Sequence, residues 1–212
     1  MIRLLIASAV LASFSCSGVH PTPEAEFRPA PNPWREDFDP PASLDTKRVH
    51  LEPLRPEVAR LDYEAFMSSR EHLHRTLHWN DWPTEDFTVA QNVQDLERHW
   101  NEFEAREGYA YTVLVPDRSR CVGCIYMERV EGQTDSVRLT YWVVESVLDE
   151  DLDNHLIESV IGWIDEDWPF NRVTMRLHVD NERGIDIAYR LGMTRQPDED
   201  PDHWLFIWER KS

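Results

Sequence analysis

Two hydrophobic periods alternate along the chain and divide it into strands and helices. Residues 48–54 set Val49 and Leu51 two apart, the period of a half-buried strand, and Pro53 and Pro56 punctuate its end. Over 56–77 the apolar positions Val58, Leu61, Tyr63 or Ala65, Phe66, Leu73 and Leu77 fall at helical spacing, with Pro56 suited to the first turn. Thr88 stands as an N-cap before a second helix over 88–107. There Val89, Val93, Leu96, Trp100 and Phe103 share one stripe opposite a charged face. Three strand-like runs come next, at 109–115, 121–130 and 136–145. The text between them, PDRSR and EGQTD, is short enough for antiparallel hairpins. A third helix is predicted over 151–167 from Leu152, Leu156, Val160, Trp163 and Ile164, then a strand over 172–179. A fourth helix over 181–191 stops at Gly192, a C-terminal cap, and a last strand spans 203–210. The class is α/β (α+β), and no internal repeat interrupts it.

The stretch before residue 47 shows neither period. Residues 1–17 read as a signal-peptide-like leader: Arg3 supplies the positive start, 4–14 are apolar, and Ser13-Phe14-Ser15 is a small-x-small cleavage site ahead of Cys16. The apolar run is too short to span a bilayer as a helix. Residues 18–46 are proline-rich and read as an extended tether, which leaves 47–212 as one domain. Residues 1–45 are therefore expected to pack against nothing in that domain. Such a protein is exported or anchored in the envelope, with Cys16 available to carry a lipid. A true start near Val49 would instead place it in the cytoplasm.

Forty acidic residues against 22 basic ones give a formal charge of -18. That balance argues against nucleic acid as a partner and favours a small amine or a basic protein. Cys121 and Cys124 fall in strand text, where residues three apart face opposite sides, so two packed thiols are expected there. His178 alternates with Leu177 and Val179 and reads as a structural histidine. No HExxH, second CxxC, P-loop or nucleophile elbow occurs, and no metal is assigned.

Two stretches, YWVVES…HLIESVIGWI and RVTMRLHVDNERGIDIAYRLGM, resemble the GCN5-related N-acetyltransferases (the GNAT superfamily). Asn181, Gly184, Gly192 and Met193 fit the spacing of the second, and the order of elements agrees over most of the chain. The resemblance implies an acyl-CoA N-acyltransferase fold: a mixed, mostly antiparallel sheet with helices on both faces. The strands over 136–145 and 172–179 should be parallel neighbours that splay near Val143 to Glu145. It implies acetyl-CoA as cofactor, its pantetheine arm paired with the backbone at Val143 and Val144, and Asn181 close to that arm. Glu145 or Glu128 would take the acceptor's proton. The family's helical tyrosine, the general acid, falls on Ala188, next to Tyr189, which becomes the candidate acid.

One part of the pattern departs. The family's pyrophosphate loop, rich in glycine, aligns with residues 148–153, where Leu148 replaces a basic or polar residue and Asp151 and Asp153 replace glycines. Asp149 and Glu150 add two more carboxylates. Each unit charge ~5 Å from a phosphate repels it by roughly 1 kcal/mol in water, and by more in a drier site. Weak binding of acetyl-CoA is the expectation that follows, with a non-catalytic binding module on the same fold as the alternative function.

Overall fold

The strand patterns join into one sheet. The computed structural model describes residues 32–79 and 81–211. Among them are eight strands: β1 (Leu44–Asp45), β2 (His50–Pro53), β3 (Gly108–Leu114), β4 (Cys121–Val130), β5 (Gln133–Val143), β6 (Arg172–His178), β7 (Thr194–Pro197) and β8 (His203–Glu209). Their order is β1-β2-β3-β4-β5-β6-β8-β7. Every pairing is antiparallel except β5 with β6, the parallel pair that the resemblance implies. The helices are α1 (Ala59–Ser68), α2 (Arg70–Leu77), α3 (Val89–Glu104), α4 (Leu152–Asp167) and α5 (Glu182–Arg190).

Register decides which helix meets which face. Thr112, Cys124 and Trp142 lie across from one another and share a face, as do Tyr111, Ile125 and Tyr141 on the other. From α1, Asp62 reaches Cys124 and Phe66 reaches Trp142, while Trp163 of α4 packs edge-on against Tyr111. Helices therefore cover both faces of a sheet that is buried through its centre.

Local chemistry sets the helix ends. Thr88 caps α3 in a full capping box with Gln91. Gly192, at φ 71°, closes the turn after α5. The helix expected over 56–77 is divided at Ser69, whose backbone leaves the helical region and whose hydroxyl accepts the Glu145 N–H at 2.9 Å. Val89, expected on the core stripe of α3, is exposed, and Asn92 faces inward instead. β7 carries no apolar alternation, all four residues being exposed, so no period announced it.

Two expectations are corrected. Residues 32–45 do pack on the domain: Trp34 is buried, stacks on Tyr109 at 5.3 Å, and contacts Phe170. The Tyr111 hydroxyl donates to the Pro41 carbonyl at 2.7 Å, Arg106 donates to Phe38 O at 2.9 Å, and Leu44–Asp45 adds a strand to the sheet. Isolated aromatic anchors hold this segment without any periodicity. The expected leader, and the rest of the tether up to residue 31, lie outside the described residues. The second correction concerns the cysteines. Leu114 pairs with Cys121 and Val113 with Gly123, so Val122 is an extra residue in β4. That bulge reverses the alternation and brings donor atoms of Cys121, Cys124 and Asp62 within 4.8 Å of one another. Both thiols are free and buried, as packed thiols should be.

Asp62 links α1 to the sheet and to α3. One carboxylate oxygen accepts from Asn92 Nδ2 at 2.9 Å and the other from the Cys124 thiol at 3.2 Å. Burial pushes its pKa up to about 6, against the opposing pull of those two hydrogen bonds. A group whose pKa is raised on folding stabilises the fold fully below its unfolded value, and that contribution is lost as pH rises through the folded value. For Asp62 the window runs from 3.8 to about 6. Between about pH 4 and about pH 7, Asp62→Asn is expected to gain about 3 kcal/mol on the parent in urea unfolding. A difference that does not vary with pH would contradict this.

Candidate active site

β5 and β6 are bonded over only three residue pairs, Ser136 with Arg172, Val137 with Val173 and Arg138 with Thr174. Beyond Arg138 they part. The family resemblance placed this splay near Val143 to Glu145; it begins at Leu139, four residues earlier. One edge of β5 is left without a strand partner, and backbone groups on such an edge seek other partners.

The gap opens into a cleft of about 890 Å³. Leu139, Tyr141 and Met175 line it from the two strands, and Trp79, Trp82 and Phe87 from the segment between α2 and α3. A second cavity of about 40 Å³ shares Thr76, Leu77, Tyr141 and Asn181 with the first and reaches Leu148 and Asp153 at the start of α4. Together they trace one route from the cleft to the N-terminus of α4, and the route narrows sharply.

Arg183 of α5 makes it narrow. Its guanidinium grips Asp153 with two hydrogen bonds, one of them 2.6 Å long, and also donates to Asp151 at 3.1 Å and to the Leu148 carbonyl at 3.0 Å. Asp153 is buried while Arg183 stays partly exposed. Arg48 donates to the Glu150 carbonyl at 2.6 Å, and Arg190 stands 3.9 Å from Asp151. Three arginines thus stand around the acidic turn, and of the four carboxylates expected to surround a phosphate, those of Asp151 and Asp153 are paired with Arg183. Asp151 itself sits at φ 54°, the left-handed region that glycine favours.

The residues singled out in the sequence separate into two groups. Asn181 lines both cavities and caps α5, its Oδ1 accepting the Gly184 N–H at 3.0 Å. A Cβ at position 184 would lie 2.9 Å from Asn181 Nδ2, which accounts for the glycine. Val143 lines the narrow cavity, and Val144 donates its N–H to Val122 O at 2.9 Å. Glu128 stands on the cleft wall, 3.7 Å from Arg138. Glu145 is elsewhere, exposed and paired with Arg75 at 2.8 Å. Tyr189 is 49% exposed and packs edge-on against Phe206, outside both cavities.

Four histidines line the cleft, His78, His99, His178 and His203, and three of them, all but His178, went unremarked in the sequence. Burial lowers the pKa of His99. Asp200 holds His203 Nδ1 at 2.8 Å and is itself braced by Arg176 at 2.9 Å. The register of β6 with β8 sets His178 directly across from His203. No local pattern joins residues so far apart in the chain. His178, expected as a structural residue, instead reaches the cleft.

The profile of the family described as an acetyltransferase (GNAT) domain matches residues 48–194. The ribosomal-protein-serine acetyltransferase of Escherichia coli (strain K12) is 20% identical over 143 residues, 68% of this chain and 73% of that one. Among solved structures, the ribosomal-protein-S5-alanine acetyltransferase from Vibrio fischeri superposes with a TM-score of 0.68 at 14% identity, covering 79% of this chain and 96% of that one. The microcin C7 self-immunity acetyltransferase, in complex with acetyl-CoA and AMP, gives 0.66 at 12% identity, covering 77% and 93%.

Removing Arg183 tests the ionic cluster. Arg183→Ala leaves Asp153 buried without its partner and is expected to cost about 2 kcal/mol in chemical unfolding. Adding Asp153→Asn should recover part of that loss. Equal losses in the single and double variants would show that the pair does not carry the effect.

Proposed function

The chain belongs to the GNAT acetyltransferase family and is an N-acetyltransferase, and we propose that it carries an acetyl group from acetyl-CoA to the N-terminal amine of a peptide or protein. The observation that carries this reading is the parting of β5 from β6 beside two adjoining cavities, the smaller of which reaches the start of α4. The free edge of β5 suits the amides of a pantetheine arm, which add to it as another strand would. Arg183 and the unpaired N–H groups at the start of α4 suit a pyrophosphate. The narrow part of the route is too tight for that arm as it stands, so Arg183 exchanges Asp153 for the phosphates when the cofactor binds. The complex of the microcin self-immunity acetyltransferase with acetyl-CoA supports the choice of donor.

The size of the cleft supports an acceptor larger than a simple amine, since about 890 Å³ holds several residues of an extended segment. Two of the similar proteins are named for acting on ribosomal proteins, which supports a protein amine. In the reaction the amine nitrogen bonds to the thioester carbonyl carbon, the carbon–sulfur bond breaks, and the thiol leaves. Glu128 takes the proton of the acceptor ammonium, directly or through one water. Of the three catalytic candidates in the sequence it is the one on the cleft, and its contact with Arg138 is loose enough to release it.

The test is turnover of acetyl-CoA with a panel of short peptides and small amines, read as thiol release and as acetylated product by mass spectrometry. Peptide N-termini should be acetylated faster than small amines. Glu128→Gln should lower kcat about 100-fold with little change in the KM for acetyl-CoA, whereas Glu145→Gln and Tyr189→Phe should stay near the parent. Turnover of small amines alone would overturn the acceptor class. Absence of both binding and turnover would favour the non-catalytic module.

A further inference from the structure

We propose that His78, His178 and Asp180 form a binding site for a divalent transition metal of the zinc type at the rim of the acceptor cleft. The proposal does not depend on the acetyl-transfer reading, because it rests on where three donor groups meet.

α2 ends at His78, whose backbone takes the left-handed conformation at φ 53° and brings its ring over the end of β6. There it faces His178, with ring centroids 3.5 Å apart and planes 19° from parallel. Asp180 follows two residues on, its Oδ2 3.6 Å from His178 Nδ1. One donor atom from each of the three residues lies within 4.8 Å of the others. Some point is therefore no more than about 2.8 Å from all three, but the stacked rings hold their in-plane lone pairs in separate planes, so the His78 ring must turn out of the stack and the Asp180 carboxylate toward it to reach the 2.0–2.2 Å typical of zinc. Those rotations are open to His78 and Asp180, which are exposed, while His178 is mostly buried and gives the site a fixed side.

The chemistry of the donors selects the cation. Two imidazoles and one carboxylate suit Zn²⁺, Co²⁺ or Ni²⁺, whereas Ca²⁺ and Mg²⁺ favour all-oxygen sets. The Asp180 backbone N–H donates to His178 Nδ1 at 3.2 Å, so that nitrogen carries its lone pair rather than a proton. It is also the nitrogen nearest the Asp180 carboxylate, and a metal binds there when the ring turns its lone pair away from that N–H. Three protein ligands leave a fourth position open, as in sites that bind a water or a substrate group. Of the three donors, His78 and His178 line the cleft, where the His203 ring stands edge-on 5.2 Å from His178. A formal charge of -18 over the chain favours the approach of a cation at low salt.

A second trio, Asp62 with Cys121 and Cys124, meets the same distance limit but is closed. Its carboxylate and thiols are buried and already engaged, with Asn92 and Cys124 on Asp62 and with the Gly123 carbonyl on Cys121. The two trios give different spectra with cobalt, because thiolate ligands produce a charge-transfer band and imidazole with carboxylate does not.

The experiment uses the full chain without a histidine tag, stripped by chelator, titrated with Zn²⁺ by calorimetry and with Co²⁺ by visible absorption. One site per chain with micromolar affinity is expected, without a thiolate band. His178→Ala and Asp180→Asn should each weaken binding at least tenfold, and Cys121→Ser with Cys124→Ser should leave it unchanged. His78→Ala, at an exposed position, should weaken it as well and gives the reading if His178→Ala does not fold. Absence of saturable binding would overturn the proposal. So would binding that survives the loss of His78 and Asp180, or that disappears with the cysteines.

Discussion

The site depends on a strand edge with no strand beside it. β5 and β6 are bonded over three residue pairs and then part, although both run on into the interior of the sheet. A backbone group without a partner is costly away from water, so a gap of this kind persists only where solvent or a ligand fills it. The candidate residues that line the cavities gather around that gap. Asn181 stands at its upper end, Glu128 and the histidines line its mouth, and the route along it leads to the start of α4. The antiparallel run from β2 to β5 and the pairing of β6 with β8 hold the two strands apart from either side.

The turn before α4 shows how charge can be read wrongly one residue at a time. Asp149, Glu150, Asp151 and Asp153 look like a barrier to any phosphate. In the folded chain Asp153 is buried against Arg183, Asp151 shares the same guanidinium, and Arg48 and Arg190 stand close by. The turn has kept the left-handed backbone that a glycine would supply, with Asp151 in its place. A cation now occupies the region to which the family pattern assigns pyrophosphate, so under the proposed function ligand binding there is an exchange of anions around Arg183.

Much of the fold was legible because its signals are local. Strand alternation, the Thr88 N-cap and the Gly192 stop each need only a few neighbouring residues, and each appears where the pattern put it. Of the candidate site residues picked from the sequence, Asn181, Val143 and Glu128 line the two cavities, while Glu145 and Tyr189 lie outside them. What could not be read depends on contacts between distant parts of the chain. Trp34 carries no period, yet it anchors residues 32–45 on Tyr109. One inserted residue, Val122, reversed the side on which Cys121 lies. His78, His178 and His203 meet only because α2 ends beside β6 and β8 pairs with it in one register.

The free edge of β5 as the seat of the acyl donor can be tested at the backbone itself. Amide hydrogen exchange over residues 139–143, followed with and without saturating acetyl-CoA, reads whether those N–H groups gain partners. Slower exchange across that segment, with a change around Arg183, is the expected result. Saturable binding that leaves residues 139–143 unaltered would mean that the cofactor lies elsewhere and that the gap between the strands is not its site.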